Sequence, residues 1–446
     1  MNKERKLISG GYIVTMNAQE DIIENGWILM EKDRIVGIGS GTPPEPKGDT
    51  EKIDGSGKVV LPGIVNVHTH VCGSLFKALT EDTKDSFYSL AFPMERFLTP
   101  ETTYILSMLG CIESVKFGST CINDLYHHMR HTAKAVEEIG LRGVLAQKVY
   151  EVNLCNLQYN DYAMDPAQGE RKLEENVRLI EEYHHKGNGR ITCRFGPHAT
   201  DTVSIKLAQK ISDLAEQFGV GIHIHAAQKE REVRQVGRAY NLTPAEYLKE
   251  SGLAGSKLIA AHCLLLKESD IEIMKNSGTN IAHCPQIVLK RGNFPPIKAF
   301  YENNLNIALG TDWVSMNPWD NMRFAIAGAR VKGCDEDCIN AKKAFRMATI
   351  GAAKVIGMEN SIGSLEVGKK ADLLIMNVHH AHLQPIFDNL MATIVYNANG
   401  NEIETVIIDG QTVVKDGRMA TVDEEAVLVE ASKVARDLYR RQLNSK

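Results

Sequence analysis

Residues 61–70 read Leu-Pro-Gly-Ile-Val-Asn-Val-His-Thr-His, an apolar run that ends in His68 and His70. Side chains two positions apart on a β-strand point to the same face of the sheet. The two imidazoles would therefore stand side by side at the end of a buried strand, with their Cα atoms about 7 Å apart. At that separation both rings can bind one divalent metal ion, although two histidines that only hydrogen-bond locally fit this stretch equally well.

The composition is that of an ordinary globular protein. The 446 residues are 43% hydrophobic and 24% charged, with a formal net charge of −5. No basic patch stands out and the apolar runs are too short to span a bilayer, so we expect neither nucleic acid nor a membrane as partner. The nine cysteines have no framework spacing and the first residues lack the apolar region of a signal peptide. We therefore expect reduced thiols and a cytoplasmic location.

Both ends of the chain carry short strand-like segments. Residues 27–38 form a hairpin-like pattern, and residues 405–414 do so around Asp409-Gly410, a dipeptide typical of tight hairpin turns. Neither end has enough strands to close a core alone. We therefore predict that residues 1–60 and 363–446 pair into one small β-sandwich domain, which also carries a C-terminal helix.

Residues 61–362 alternate apolar segments with amphipathic helical stretches. The pattern fits a doubly wound sheet or a (β/α)8 barrel. Nearly every unusual polar residue falls at the C-terminal end of a predicted strand, where barrel enzymes carry their active sites. We therefore predict an α/β protein built around a TIM-like (β/α)8 barrel over residues 61–362. The predicted strands are Gly63–His68, Thr120–Leu125, Gly143–Val149, Ile191–Phe195, Val220–His225, Leu258–Ala261, Asn280–His283 and Asn306–Leu309.

The polar residues at these strand ends form a constellation of imidazoles and one carboxylate. A lone histidine or aspartate at a strand end is usually structural, but six strand ends of one barrel are hard to explain in that way. Neutral imidazole and carboxylate suit zinc or ferrous iron, and three histidines with one aspartate leave a position for water. The strand-end residues are His68, His70, His198, His225, His262, His283 and Asp312.

These motifs resemble the amidohydrolase superfamily, and within it the aminohydrolases of nitrogen heterocycles. That branch includes cytosine and guanine deaminases, methylthioadenosine/S-adenosylhomocysteine deaminases and triazine hydrolases. The resemblance spans nearly the whole chain. It is carried by Pro62-Gly-Ile-Val-Asn-Val-His-Thr-His, Gly196-Pro-His-Ala, His223-Ile-His-Ala-Ala, Ala261-His-Cys, Ala282-His-Cys-Pro, Ala308-Leu-Gly-Thr-Asp and Gly363-Ser-Leu-Glu-Val-Gly-Lys-Lys-Ala-Asp-Leu.

The resemblance implies one divalent metal, Zn²⁺ ahead of Fe²⁺, held by His68, His70, His225 and Asp312. Binuclear relatives use a lysine from strand four, but this strand has Arg194, whose guanidinium stays protonated. We therefore expect a single metal ion.

The resemblance also implies a reaction in which a metal-bound hydroxide displaces an amino group from a heterocyclic ring. Asp312 would transfer the proton of the water and His262 would hydrogen-bond the water or the developing oxyanion. His198 and His283 would orient the ring.

Three further residues are candidates for substrate binding. Phe76 lies in the loop after His70, which lines the pocket in the family. Lys148 either binds a substrate tail or is simply solvated, and Trp313 either stacks on a planar ring or packs in the core.

One residue departs from the family pattern. Three positions after His225, deaminases of this branch have a glutamate that protonates the ring, whereas this chain has Gln228. An amide can donate a hydrogen bond but cannot transfer a proton at neutral pH. Three outcomes stay open: the substrate needs no ring protonation, another group supplies the proton, or the site binds metal without ordinary deaminase activity.

The leading hypothesis is thus a metal-dependent aminohydrolase acting on a purine, pyrimidine, pterin or triazine. An alternative on the same fold is a dechlorinase or a cyclic-amide or amidine hydrolase. A remote alternative is a non-catalytic metal-binding protein. We expect a small heterocyclic substrate as partner, and relatives suggest a homodimer or higher homo-oligomer.

Overall fold

The computed structural model of the chain describes residues 4–45 and 48–445. Within these ranges the strands are, in chain order, β1 (Arg5–Val14), β2 (Ile22–Glu31), β3 (Arg34–Ser40), β4 (Thr50–Asp54), β5 (Lys58–Pro62), β6 (Ile64–Thr69), β7 (Ser119–Tyr126), β8 (Arg142–Val149), β9 (Ile191–Pro197), β10 (Ile222–Ala226), β11 (Leu258–His262), β12 (Asn280–His283), β13 (Ile307–Leu309), β14 (Leu373–Asn377), β15 (Ile403–Ile408), β16 (Gln411–Lys415) and β17 (Arg418–Met419). The α-helices are α1 (Phe92–Glu95), α2 (Pro100–Lys116), α3 (Met129–Ile139), α4 (Pro166–Tyr183), α5 (Ile205–Phe218), α6 (Glu230–Tyr240), α7 (Pro244–Glu250), α8 (Glu268–Ser277), α9 (Pro285–Leu289), α10 (Ile297–Glu302), α11 (Pro318–Val331), α12 (Ala341–Met347), α13 (Ile350–Ile356), α14 (Leu390–Asn397) and α15 (Glu424–Asn444).

Strands β6 to β13 form the predicted barrel. Each pairs in parallel with the next, from β6 to β13. Backbone hydrogen bonds close the ring between its first and last strands: the Asp312 amide donates to the His68 carbonyl at 3.0 Å, and the His70 amide to the Asp312 carbonyl at 3.3 Å. The strand ends that carry the polar constellation therefore meet at one rim of the barrel.

The two ends of the chain share one sheet, as the sequence indicated. Its order is β17-β16-β15-β14-β5-β1-β2-β3, with β4 also paired to β1. Apolar side chains from both halves, such as Ile28 and Ile407, belong to one cluster. The predicted Asp409-Gly410 turn is present, with φ of +52° and +75° at its two residues. Glycine is required at 410 because a Cβ there would overlap the carbonyl oxygen of Lys32.

The limits assigned to the two domains remain predictions, but the structure places two elements differently. Strand β5 of the end sheet runs to Pro62, past residue 60. Helix α15 packs against α2 of the barrel rather than only following the end sheet, and Lys116 in α2 forms an ion pair with Glu424 at 2.5 Å.

A buried ion cluster joins the barrel to the end sheet. Arg142, at the start of β8, donates from Nε and Nη2 to the two carboxylate oxygens of Asp372 at 2.9 and 3.0 Å. Its Nη2 also reaches Asp409 Oδ1 at 3.2 Å. Arg142 and Asp372 are each 3% exposed, so water contributes little to the solvation of these charges.

Capping residues mark the starts of two helices. At the start of α2, the Thr99 hydroxyl accepts a hydrogen bond from the Thr102 amide, and Pro100 is the first helical residue. At the start of α7, Thr243 and Glu246 form a reciprocal capping box. Among the described helices, none has both the length and the apolar character needed to cross a membrane.

Candidate metal centre and active-site cavity

The four predicted metal ligands converge at the barrel rim. Asp312 Oδ1 lies 3.4 Å from His68 Nε2 and 3.4 Å from His70 Nε2. The Nε2 atoms of His225 and His70 are 3.3 Å apart. The four side chains come from β6 and the residue directly after it, from the end of β10 and from the turn after β13, and each residue is no more than 7% exposed.

Neighbouring groups fix which ring nitrogen of each imidazole points to the centre. His225 Nδ1 lies 2.6 Å from the carbonyl oxygen of His198, which can only accept, so Nδ1 donates and Nε2 keeps its lone pair. His68 Nδ1 faces His223 Nε2 at 2.8 Å. His223 therefore contacts the ligand residue His68 on the side away from the metal position, which indicates a structural role.

These side chains fit a single divalent ion. Ligands of a tetrahedral zinc at about 2.1 Å lie roughly 3.4 Å from one another, close to the separations observed here. His68 Nε2 is buried and has no hydrogen-bond partner among the described residues, as expected for an atom that binds a metal. Burial lowers the pKa of His68 and His225, which keeps both imidazoles in the neutral, metal-binding form. Arg194 of strand β9, at the strand where binuclear relatives carry a lysine, donates hydrogen bonds to the backbone carbonyls of Lys257 and Ile356 and does not belong to the metal site.

The backbone around the centre is strained. Asp312 and Val314 have φ of +61° and +68°, and His262 has φ of +76°. Left-handed conformations are unfavourable for side-chain-bearing residues, above all for a β-branched valine. Such strain clusters at functional sites, where the surrounding fold holds it in place.

His262 and Asp312 are placed beside each other on the cavity side of the centre. His262 Nε2 lies 3.9 Å from Asp312 Oδ2, while Oδ1 faces the ligand histidines. Burial lowers the pKa of His262 to about 3, so the ring is neutral at physiological pH. For Asp312, burial alone would raise the pKa, but the imidazoles of His68 and His262 beside it hold the pKa below its ordinary value. One carboxylate oxygen thus faces the metal position and the other is available to a substrate.

A cavity opens above this centre, with both polar and apolar side chains in its lining. Such a lining is typical of small-molecule sites. Most of the predicted site residues line it, namely His70, Lys148, His198, His225, Gln228, His262, Asp312 and Trp313.

Phe76 and His283 lie behind the cavity wall. Phe76 is fully buried and its ring packs on Trp313 with centroids 5.2 Å apart. His283 is 1% exposed and is covered by Phe294 at 5.1 Å. Neither side chain lines the cavity. The prediction that Phe76 and His283 contact the substrate directly is therefore not supported by where they lie.

The interpretation of Lys148 as a solvated lysine is wrong. Lys148 is 2% exposed, and its Nζ lies 3.1 Å from Glu95 Oε2. The same carboxylate accepts from Tyr126 Oη at 2.7 Å and lies 2.8 Å from His127 Nε2. Burial lowers the pKa of Lys148, whereas Lys148 and His127 outweigh burial at Glu95 and hold its pKa below the ordinary value.

Sequence reasoning missed Glu95 and Asp124. Glu95 lies in the short helix α1, where no motif or periodicity marks it. Asp124 is fully buried on β7, its Oδ2 accepts from the Val71 amide at 2.9 Å, and its Oδ1 is 3.9 Å from His70 Nδ1. A charged residue inside a predicted buried strand was the available signal for Asp124.

Gln228 lines the cavity, and the nearest buried acid in sequence does not replace it. Glu232 is 1% exposed, and its carboxylate accepts from the backbone amides of Ala227 and Gln228, both at 2.8 Å. Burial, followed by the charge of Asp201, raises the pKa of Glu232 to about 8. Glu232 therefore supports the backbone of Gln228 from beneath and does not line the cavity.

Comparison with known proteins agrees with this geometry. The model of the amidohydrolase family matches residues 59–413. A 5′-deoxyadenosine deaminase of Methanobrevibacter smithii is 35% identical over 421 residues, which cover 93% of this chain and 94% of that protein. A 5-methylthioadenosine/S-adenosylhomocysteine deaminase of Syntrophomonas wolfei is 34% identical over 442 residues, covering 97% and 99%.

The fold has equally clear counterparts among solved structures. An adenosine deaminase from Xanthomonas campestris, solved with bound zinc, superposes with a TM-score of 0.89 at 23% identity, covering 98% of each chain. The family match covers residues 59–413, and the two related deaminases cover 93% and 97% of this chain. The chain therefore belongs to the amidohydrolase family.

Proposed function

We propose that this protein is a metal-dependent aminohydrolase that removes an amino or substituted-amino group from a nitrogen heterocycle. The observation that carries the proposal is the convergence of His68, His70, His225 and Asp312 beside His262 at the base of a cavity. Deaminases among its relatives support the reaction class. The adenosine-type heterocycles in their names make an aminopurine the first substrate class to test.

The chain's own residues divide the work of such a reaction. A divalent ion held by the four ligands would lower the pKa of a water so that it becomes nucleophilic near neutral pH. Asp312 Oδ2, which faces the cavity and His262, is placed to accept a proton and to pass it to the departing group. His262 would hydrogen-bond the oxygen that is being added to the ring carbon, where negative charge develops during the attack. The Gln228 amide, which lines the cavity, would donate a hydrogen bond to a ring nitrogen of the substrate.

The finer assignments are part of the proposal. Zinc is the proposed metal because the ligand set and its spacing suit it and because a zinc-bound structure shares the fold. A cytoplasmic location and a homo-oligomeric state stay predictions.

Ammonia release from a library of aminopurines, aminopyrimidines, pterins and triazines tests the function directly. We expect the purified holoenzyme to carry one equivalent of transition metal and to release one ammonia per heterocycle converted. Chloride or a ring-opened acid in place of ammonia would support the dechlorinase or cyclic-amide alternative. No turnover of any library member would overturn the proposal.

The Gln228→Glu variant tests how the missing acid limits the reaction. A carboxylic acid at this position can protonate a ring nitrogen, and general acid catalysis typically contributes about 10²–10⁴-fold. We expect kcat for aminopurine nucleosides to rise about 10- to 100-fold in Gln228→Glu, measured as ammonia release.

Gln228→Met is the matched control, since it keeps the length of the side chain and removes its hydrogen bonds. We expect kcat of Gln228→Met to be lower than that of the parent protein. A Gln228→Glu variant no better than Gln228→Met would contradict the interpretation and would mean that the amide itself is required.

A further inference from the structure

Two cations line the active-site cavity without a carboxylate partner. Lys229 and Arg291 both face the same space as His262 and Trp313. In residues 4–45 and 48–445, Arg291 Nη2 is buried and has no hydrogen-bond partner. Within the same ranges no carboxylate oxygen lies within 4.0 Å of either cationic side chain. Unsatisfied buried donors are uncommon in folded proteins, and a charged donor is the most costly kind.

The other charges of the cavity are already balanced. Lys148 is paired with Glu95, and Asp312 belongs to the metal ligand set. Lys229 and Arg291 thus leave the cavity with an excess of positive charge. A bound metal ion would increase that excess.

The two cations also act on each other. Burial, and then the charge of Arg291, lowers the pKa of Lys229. Arg231 acts in the same direction, while Asp85 and Asp312 oppose it from a distance. Like charges held together in a partly buried space are unfavourable until an anion joins them.

The position of Arg291 relates this charge to the reacting centre. Its Cζ lies 5.8 Å from the centroid of the Trp313 ring, and Trp313 directly follows the ligand Asp312. Trp313 is held by Phe76 and Phe87 at 5.2 and 5.5 Å, so it forms a fixed wall. A planar ring lying along this wall, with one edge at the metal centre, would turn its opposite edge towards Arg291.

The cations are also reachable from outside. Arg291 and Lys229 also line a second cavity, which shares Phe87 and Asn293 with the first. Its lining carries four cations against three carboxylates, the further charged residues being Glu81, Asp82, Lys84, Asp85 and Lys290. An anionic group could therefore remain at the mouth of the site while the heterocycle occupies its base.

We propose that Arg291 and Lys229 form a subsite for an anionic substituent, a carboxylate or a phosphate, carried by the heterocyclic substrate. This inference rests on the proposed function, because it assumes that the ring binds at the metal centre. Guanidinium groups bind both oxyanions through two parallel hydrogen bonds, and Arg291 has the free donor for such a pair.

The test compares substrates that differ only by the anionic group. Adenosine is paired with adenosine 5′-monophosphate, and pterin with pterin-6-carboxylate, so that phosphate and carboxylate are distinguished. We expect the holoenzyme to favour the anionic member of at least one pair in kcat/KM by about tenfold or more. We expect Arg291→Met to reduce that preference by about 10- to 100-fold, mainly through KM, and Arg291→Lys to restore part of it.

Lys298→Met is the charge-matched control. Lys298 is exposed on α10 and lies 4.0 Å from Glu302, away from the cavity, so its loss changes net charge equally and should leave the preference unchanged. An equal effect of Lys298→Met and Arg291→Met would overturn the subsite, since the preference would then reflect net charge alone.

Binding of the deaminated products separates this inference from the function. Calorimetry with inosine and inosine 5′-monophosphate, and with lumazine and lumazine-6-carboxylate, needs no turnover. Tighter binding of an anionic member that is lost in Arg291→Met supports the subsite even if no ammonia is ever released. Equal binding of both members in both pairs, or no binding of any of them, overturns it even if deamination is observed.

Discussion

Replacing Asp312 by asparagine is expected to lower kcat by about 10³-fold, since proton transfer by a positioned side chain typically contributes about 10²–10⁴-fold. The amide keeps the shape of the side chain and an oxygen towards His68 and His70, but it cannot accept a proton at Oδ2, the atom that faces His262. The measurements are the steady-state rate of ammonia release and the metal content of the same preparation. The metal content shows whether a lower rate comes from loss of proton transfer or from loss of the bound ion.

Two other aspartates provide a graded comparison. Asp124 Oδ1 lies 3.9 Å from Nδ1 of the ligand His70. We expect Asp124→Asn to lower activity or metal affinity by about 10–100-fold, as is typical for loss of a carboxylate behind a metal ligand. Asp437, which is exposed on α15, should be replaceable by asparagine without effect. If Asp312→Asn with a full metal complement kept more than a tenth of the parent rate, Asp312 would not be the proton carrier.

The Arg142→Met substitution is expected to lower the free energy of unfolding by about 3–5 kcal/mol. Methionine removes the guanidinium and leaves the carboxylate of Asp372 buried, where an uncompensated charge is strongly unfavourable. Among the described residues, the backbone amide of Asp409 at 2.7 Å is then the one hydrogen-bond donor left to Asp372. Urea unfolding followed by circular dichroism measures the change.

The double variant Arg142→Met/Asp372→Asn isolates the ion pair, because it removes both charges. We expect it to recover part of the lost stability, and together with the single variants Arg142→Met and Asp372→Asn it gives the coupling energy of the pair. Arg178→Met, on the exposed face of α4, should change the free energy of unfolding by less than about 0.5 kcal/mol. A loss below 1 kcal/mol in Arg142→Met would show that the cluster does not depend on its arginine.

The barrel and its ligand set were predictable because the signals are local. Apolar segments of four to eight residues marked each strand, and the observed ends differ from the predicted ones by only one or two positions, as at Ile64–Thr69 against Gly63–His68. Helix starts such as Thr99-Pro100 carry their own capping signal. The histidines were found because strand ends of a parallel barrel meet at one rim, so that His68 and His225 come together although they are far apart in sequence.

The walls of the cavity were harder to predict because they come from segments without periodicity. Glu95 belongs to the region between β6 and α2, and Arg291 to the turn after α9. The burial of Lys148 depends on Glu95, 53 positions away, so no local pattern could distinguish it from a surface lysine. His283 has the strand parity of a site residue, yet Phe294 from the following loop covers it.

The seam between the two ends of the chain has a consequence for synthesis. Strand β5 lies between β1 and β14, so one of its edges stays unpaired until Leu373–Asn377 has been made. At roughly 5–20 residues per second, the intervening stretch of about 300 residues takes on the order of 15–60 s. Throughout that interval the nascent chain presents an open apolar strand edge, a template for aggregation. Premature termination before β14 would make that exposure permanent.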